Sequence, residues 1–303
     1  MARRRIFVRL IQFMGDQDNF SRGTRDIVAL VESAVLDAAS YLVGVVQSGE
    51  KIEVSVKADH SLVLNLDLES QRKILGRLKE AYPIVAEEDE ASHRLIEQSS
   101  TYLLVDPLDG TTSCKRFLGQ IGGQVGYGPL VGFVKDHVLT VASFYSLPHR
   151  KLFTAVKGEG CYASEIDFVQ RDTPTVRKKL TAAPCHRLCE AGLLFLFGHH
   201  GESRVVQHLR NLNAVENIYR FGGFANDCAR LAQGYEQLGV QFSVKPWDLS
   251  GALLAAESGL EVWLDPMAKR TILSEWRIRA NNPLIITQPG MRDELFSALS
   301  TLS

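Results

Sequence analysis

The chain lacks a disulfide framework, a charge surplus and a long apolar leader. Its five cysteines in 303 residues, Cys114, Cys161, Cys185, Cys189 and Cys228, are odd in number and scattered. That usage excludes a stapled secreted scaffold and fits reduced thiols in a cytosol. Cys185-His186-Arg187-Leu188-Cys189 lacks a second ligand pair at any usual zinc spacing, and His199-His200, flanked by Gly198 and Gly201, reads as a loop. Lys and Arg total 34 against 35 Asp and Glu, a formal net charge of -1. No electrostatic footprint for a nucleic-acid polymer or an anionic membrane follows from such a balance, whereas a small phosphorylated metabolite remains open. Met1-Ala2-Arg3-Arg4-Arg5 has the basic start of an export signal, but Arg9, Gln12 and Gly15-Asp16 interrupt the apolar run that should follow. Neither export nor a membrane span is expected, and the expected location is cytoplasmic. Internal repeats and low-complexity tracts are absent.

What is present is an ordinary globular composition, 45% hydrophobic and 23% charged, enough for one large two-lobed domain or two modest ones. From Thr24, Ile27, Leu30, Val31, Ala34, Val35, Ala38 and Leu42 recur at three- and four-residue steps, the stripe of an amphipathic packing helix. Extended structure between Lys51 and Asp67 leads to a helix that Asp67 caps and that buries Ile74, Leu75, Leu78 and Ala81. Pro83 to Ala86 and Thr101 to Val105 read as strands, each delivering acidic residues at its end. Gly122 to Val134, Val138 to Tyr145 and Lys151 to Val156 follow as a largely antiparallel or mixed sheet. Polar residues and Pro174 make Ser164 to Lys179 the expected connection between lobes, dividing the chain into 1–178 and 179–303. Beyond it, Leu193 to Phe197 and Val240 to Val244 read as strands, Ser203 to Leu212 and Phe224 to Gln237 as helices, and Pro246-Trp247-Asp248 opens another helix.

The most informative stretch is Leu103-Leu104-Val105-Asp106-Pro107-Leu108-Asp109-Gly110-Thr111. Two carboxylates at the mouth of a buried strand repel each other and resist desolvation, so they imply a compensating cation. Pro107 fixes one torsion, and Gly110 permits the turn that exposes successive amides ahead of a helix start, a geometry suited to phosphate. Should Glu87-Glu88 and Asp248 converge on that turn, four or more carboxylates would favour hard cations with oxygen ligands, magnesium best of all. Thr111, with Asp67 accepting its proton, can then hold the attacking water of a phosphate hydrolysis. Each element has a plainer reading as well: Asp109-Gly110 as a mere turn, Glu87 to Glu90 as a solvated acidic run, Asp67 and Asp248 as helix caps, Phe224 as a buried ring.

Taken together, Asp67, Glu87-Glu88, Asp106 through Thr111, and Trp247-Asp248 resemble the inositol monophosphatase family of lithium-sensitive, magnesium-dependent phosphomonoesterases, which includes bisphosphate nucleotidases. The resemblance covers about residues 24 to 290. It implies a layered α/β/α/β/α sandwich, often dimeric, using two or three Mg²⁺ ions. Glu87, Asp106, Asp109, Asp248 and the Leu108 carbonyl would be the metal ligands, and Thr111 and Asp67, with Glu87, the catalytic residues. The implied phosphate grip is the amides from Leu108 to Thr111, and Gly222-Gly223-Phe224 would meet the rest of the substrate together with Asp248.

The chain departs from the family pattern at Leu64, where a hydroxyl is usual, at Ser113-Cys114, where Asn-Phe is common, and at Glu236-Gln237, where Ala-Asp is usual. Gln241 stands where inositol phosphatases carry a glutamate. Three readings therefore stay open. They are an inositol-phosphatase-like hydrolase of a small phosphate monoester, a 3′(2′),5′-bisphosphate nucleotidase, and a non-catalytic regulator that keeps the metal site.

Overall fold

The structure is a computed structural model describing residues 21–49, 52–56, 62–78, 80–117, 125–168, 176–196, 208, 211, 215–219, 221–241, 244–264, 270–271 and 284–300. The expected helix from Thr24 runs as α1, Arg22–Ser48, with the Ser21 hydroxyl accepting from the Thr24 amide at 3.3 Å and Gly49 closing it in the left-handed region. A short antiparallel hairpin of β1, Val54–Val56, and β2, Leu62–Leu64, precedes α2, Asn65–Leu78. Ile74 and Leu78 are buried as expected, whereas Leu75 is half-buried and Ala81 is exposed beyond the helix end.

Seven strands form the first sheet, in simple sequence order: β3, Ile84–Ala86; β4, Tyr102–Asp109; β5, Gly128–Lys135; β6, Val138–Ser146; β7, Lys151–Val156; β8, Gly160–Glu165; and β9, Arg177–Leu180. Only β3 and β4 are parallel, and every later pairing is antiparallel. Strands β8 and β9 were not expected. β9 runs across the boundary placed at 178/179 and belongs to the first sheet. Its Arg-Lys-Lys stretch has the polar look of a linker because it edges the sheet, where one side faces solvent.

A second sheet of six strands has the order β11-β10-β12-β15-β13-β14. β10 is Gly192–Leu196, β11 Asn217–Tyr219, β12 Leu238–Gln241, β13 Glu261–Leu264, β14 Arg270–Thr271 and β15 Leu284–Thr287. Both sheets are mixed, the first three strands of this one being parallel. The other α-helices among the described residues are α3, Leu95–Gln98, α4, Thr111–Phe117, α5, Phe224–Ala232, α6, Leu249–Glu257, and α7, Arg292–Ser300. The helix expected over Ser203 to Leu212 lies outside the described residues except at His208 and Asn211.

Side-chain alternation explains the layering. On β4, Leu103 and Val105 join α1 and α2 in one apolar core, while Tyr102 and Leu104 join α5 and α6 in another. On the second sheet Leu284 and Ile286 face that same α5–α6 layer, and Ile285 faces a third core with Met291, just before α7, and Leu295 of α7. Covered on both faces, β4 reads as a continuous apolar run rather than an alternating one. The result is the expected α/β/α/β/α sandwich. Close approach fixes α6 on the first sheet, since a Cβ added at Gly132 of β5 would fall 2.1 Å from the Ser250 hydroxyl oxygen.

No membrane span is expected from the sequence. α1 is long and apolar enough to cross a membrane by length and composition, but 56% of its apolar window is buried inside the fold, against α2 and the first sheet, as in a core helix. One polar anchor stands within that packing. Glu32 of α1 accepts from the Thr154 hydroxyl at 2.5 Å and pairs with Arg177 of β9 at 3.1 Å, and both charged side chains are under 5% exposed. Removing the cation alone would leave a carboxylate buried without its countercharge. Arg177→Met should therefore cost about 3–5 kcal/mol in urea unfolding, and adding Glu32→Gln should return most of the loss. A single-variant cost below about 1 kcal/mol would show that the pair is dispensable.

Candidate active site

Residues three apart on a regular strand point to opposite faces, so Asp106 and Asp109 should diverge. They do not, because β4 carries a one-residue bulge between them: Asp106 pairs with Leu130 and Asp109 with Gly128, three steps on one strand against two on its neighbour. Pro107, which has no amide to give the ladder, sits inside the irregularity where that deficit costs little. The bulge turns both carboxylates to one side. Within Asp106-Pro107-Leu108, the Leu108 amide donates to Asp106 Oδ1 at 2.9 Å, locking the turn. That amide is therefore spent inside the turn.

Asp248 arrives from the other end of the chain at the entry of α6. Its carboxylate leaves the helix uncapped and instead accepts from the Lys245 amide at 3.0 Å. Ligand atoms of Asp106, Asp109 and Asp248 all lie within 4.8 Å of one another, and these three form one all-carboxylate group among the described residues. Glu87, half-buried at the end of β3, stands outside that group. Its charge still reaches it, raising the pKa values of Asp106, Asp109 and Asp248. Asp89 and Glu90 are exposed, so the acidic run narrows to Glu87-Glu88.

Asp109 has a second attachment. Its carboxylate accepts from the amides of Phe224 at 2.9 Å and Ala225 at 3.0 Å, capping α5 from a distant strand. The approach demands glycine, because a Cβ at Gly223 would stand 2.9 Å from Asp109 Oδ2, and Gly110, at φ +81, lies beneath the Gly222 carbonyl. Gly222 and Gly223 thus meet Asp109 and Gly110 directly. The Phe224 ring is buried in the core. What Phe224 brings to the site is its backbone.

Thr111 donates its hydroxyl to Asp67 Oδ1 at 2.9 Å, with the Leu108 carbonyl at 3.1 Å. Asp67 is not the cap of α2 but its third residue, and its other oxygen accepts from the Leu64 amide at 2.9 Å. That is the returning half of a capping box, and it forms without any hydroxyl at position 64. Burial is the main cause lifting Asp67 to about 7, helped by Glu87 and Glu88 and opposed by the Leu64 and Thr111 hydrogen bonds.

Two residues that hold this site together, Ser70 and Gln71, escaped the reading of the sequence, and Ser113 entered it only as a departure from the family pattern. Ser70 donates to the Pro107 carbonyl at 2.6 Å, Gln71 accepts from the Glu88 amide at 3.2 Å, and Ser113 donates to the Gly222 carbonyl at 2.6 Å. The signal for the first two was available: Asp67, Ser70, Gln71, Ile74 and Leu78 share one face of α2, and its first two turns are polar where an apolar stripe would be ordinary. Cys114, by contrast, is buried beside Asp67, and its thiol is pushed up to about 12 by burial, which leaves it unreactive.

Burial, then the mutual repulsion of these carboxylates, raises Asp106 and Asp248 well above the ordinary range. Asp109 rises to about 7 through burial, held back by the α5 amides. A group of oxygen donors that resist ionisation through burial and mutual repulsion fits a hard divalent cation. Asp106, Asp109 and Asp248 would hold it, with Glu87 at the margin.

The model of the inositol monophosphatase family matches residues 25–301. The inositol monophosphatase of Mesembryanthemum crystallinum is 26% identical over 268 residues, covering 84% of this chain and 92% of its own length. Nus factor SuhB of Vibrio cholerae is 27% identical over 240 residues, 75% of this chain and 80% of its own. Among solved structures, the inositol monophosphatase from Anabaena superposes with a TM-score of 0.69 at 19% identity, covering 93% of this chain and 98% of that one, a likeness of fold.

The raised carboxylates carry a stability consequence. Asp67 and Asp109, each near 7 when folded against 3.8 as free side chains, keep protons in the folded chain that the unfolded chain has already lost. Their contribution is complete below the unfolded pKa and is lost as pH rises through the folded one. Metal-free protein should therefore melt at progressively lower temperature from about pH 5 to about pH 8, less steeply in Asp109→Asn, and added magnesium should raise the melting temperature most at the alkaline end. Equal magnesium effects at both ends would refute the assignment.

Proposed function

The chain belongs to the inositol monophosphatase family, and from that premise we propose that it is a magnesium-dependent phosphatase that hydrolyses a small phosphate monoester. The observation that carries the reading is the Thr111–Asp67 hydrogen bond, set beside the three-aspartate group. In this reading Glu87, Asp106, Asp109, Asp248 and the Leu108 carbonyl hold two or three Mg²⁺ ions. Bound magnesium supplies neutralisation of the ester's charge and acidification of water.

The protein's own part is orientation and proton transfer. With its hydrogen committed to Asp67, the Thr111 oxygen presents lone pairs to an incoming water. As water attacks phosphorus in line, its proton passes to the Thr111 oxygen and the Thr111 proton passes to Asp67, while the ester P–O bond opposite breaks and the departing alkoxide takes a proton from solvent water to leave as the alcohol. Burial, which raises Asp67 above the ordinary carboxylate range, makes it the better proton acceptor. The Gly110 and Thr111 amides at the start of α4 steady the phosphate oxygens, and Gly222-Gly223 borders the leaving alcohol. The two sheets serve as two lobes, the first supplying Glu87, Asp106 and Asp109 and the second flanking the helix that brings Asp248. Lithium inhibition, a homodimer and a cytoplasmic location belong to the same reading.

Gln241, buried at the end of β12 where a glutamate would grip inositol hydroxyls, supports a substrate other than inositol phosphate, including a 3′(2′),5′-bisphosphate nucleotide. Relatives named Nus factor SuhB favour a second reading, a protein that keeps this site for binding or regulation.

Phosphate release from a panel of esters, with and without magnesium, separates these readings. The expected result is magnesium-dependent release from at least one sugar, inositol or nucleotide phosphate. Asp67→Asn should lower kcat by ~10²–10⁴ while the fold is kept, since a positioned base is worth that much. Magnesium binding without release from any ester would instead establish the regulatory reading.

A further inference from the structure

Glu87 and Asp248 belong to elements that share no hydrogen-bonded ladder, yet one side chain touches the residue before each: the backbone of Ala86 and the indole of Trp247. His93 follows the short 3₁₀ turn Glu90–Ser92, and its Nε2 lies 3.0 Å from the carbonyl oxygen of Ala86, the residue before Glu87. A carbonyl can only accept, so Nε2 carries the proton. The other contact of the same ring is with the indole of Trp247, the residue before Asp248, at 4.7 Å between centroids and 35° between planes. Trp247 is 7% exposed, so the contact is with a fixed wall rather than a mobile surface group. The neighbouring Ser92 completes the grip, accepting from the Ala86 amide at 3.0 Å and donating to the Asp89 carbonyl at 2.6 Å. Both polar groups of Ala86 are thereby held from one turn.

We propose that His93 is a positioning residue that clips the Glu87 turn to the Trp247-Asp248 helix entry, fixing the separation of two carboxylates that hold one divalent-cation centre. The inference rests on the metal-binding reading above and adds to it a residue that touches neither metal nor substrate. Its two contacts are chemically separable. Phenylalanine at 93 keeps the ring against Trp247 and loses the donor, whereas glutamine keeps a donor of similar reach and loses the ring.

The test is direct Mn²⁺ titration of metal-stripped, full-length protein, read by electron paramagnetic resonance, alongside melting of the metal-free forms. His93→Ala should weaken Mn²⁺ binding about tenfold or more, the scale on which groups that orient ligands act. His93→Phe and His93→Gln should each fall between alanine and the native protein. A merely structural role would lower the melting temperature of metal-free His93→Ala and leave its Mn²⁺ affinity unchanged, which overturns the clip. If the native protein takes up no Mn²⁺ at all, the metal reading fails and the clip falls with it. If the native protein binds and all three variants bind equally, the clip alone fails.

Discussion

Repulsion among buried carboxylates is the constraint to which the rest of this structure answers. Asp106 and Asp109, both buried, and half-buried Asp248 lie within 4.8 Å of one another, and left to themselves such groups separate or take up protons. What keeps them together is backbone. The Leu108 amide holds Asp106, two α5 amides hold Asp109, and the Lys245 amide holds Asp248. Each bond comes from a group the chain cannot move without unfolding a turn or a helix end, so the repulsion is resisted by secondary structure rather than by other side chains. Asp109 gains most, since the positive end of α5 points at it, and its upward shift is the more moderate for that reason.

The same logic explains why α2 carries its polar residues inward. Asp67, Ser70 and Gln71 lie on one face and reach, in turn, Thr111, the Pro107 carbonyl and the Glu88 amide. One rigid helix thus gauges the distance between the Glu87 turn and the Asp106 turn. The parallel pairing of β3 with β4 fixes their relative height from below, with Glu87 donating its amide to the Val105 carbonyl at 3.0 Å. The spacing of the Glu87 and Asp106 turns is thus a property of two adjacent strand ends bracketed by a helix.

Much of this was legible in the residues. An apolar strand that ends in two aspartates and a glycine announces both its burial and its chemistry, and the stripe from Ile27 to Leu42 announces α1. The parts that were not legible share one physical cause: they depend on what another segment does. Nothing in Asp106-Pro107-Leu108-Asp109 shows that β5 pairs with it in three steps against two, yet that bulge decides whether the aspartates converge. β9 looks like a linker because its lysines face outward, and only its pairing with β8 makes it a strand. The Leu108 amide and the Phe224 ring fit the expected binding surface by position, but the turn and the core claim them instead. Asp67 reads as a cap from its place before an apolar stripe, and its real place, two residues inside the helix, becomes visible only when Leu64 is seen to donate to it.

The departures from the family pattern sort themselves on the same basis. Loss of a hydroxyl at Leu64 removes one half of a capping box, but the half that orients Asp67 is made by a backbone amide that any residue supplies. Ser113 in place of asparagine still reaches across to the Gly222 and Phe221 carbonyls, at 2.6 and 3.1 Å, so the glycine cradle against Asp109 keeps its support. At positions 236 and 237 the change has built something new: Glu236 forms a buried ion pair with Arg230 at 2.5 Å, with Phe221 stacked on the guanidinium at 4.3 Å. That pair ties the far end of α5 to the chain entering β12, the strand that ends in Gln241. The substitutions nearest the carboxylates are thus absorbed by backbone contacts, while those at 236, 237 and 241 lie in and just before β12. A kept carboxylate group beside altered residues farther out is what the proposed reading needs if the reaction is to stay the same while the alcohol differs.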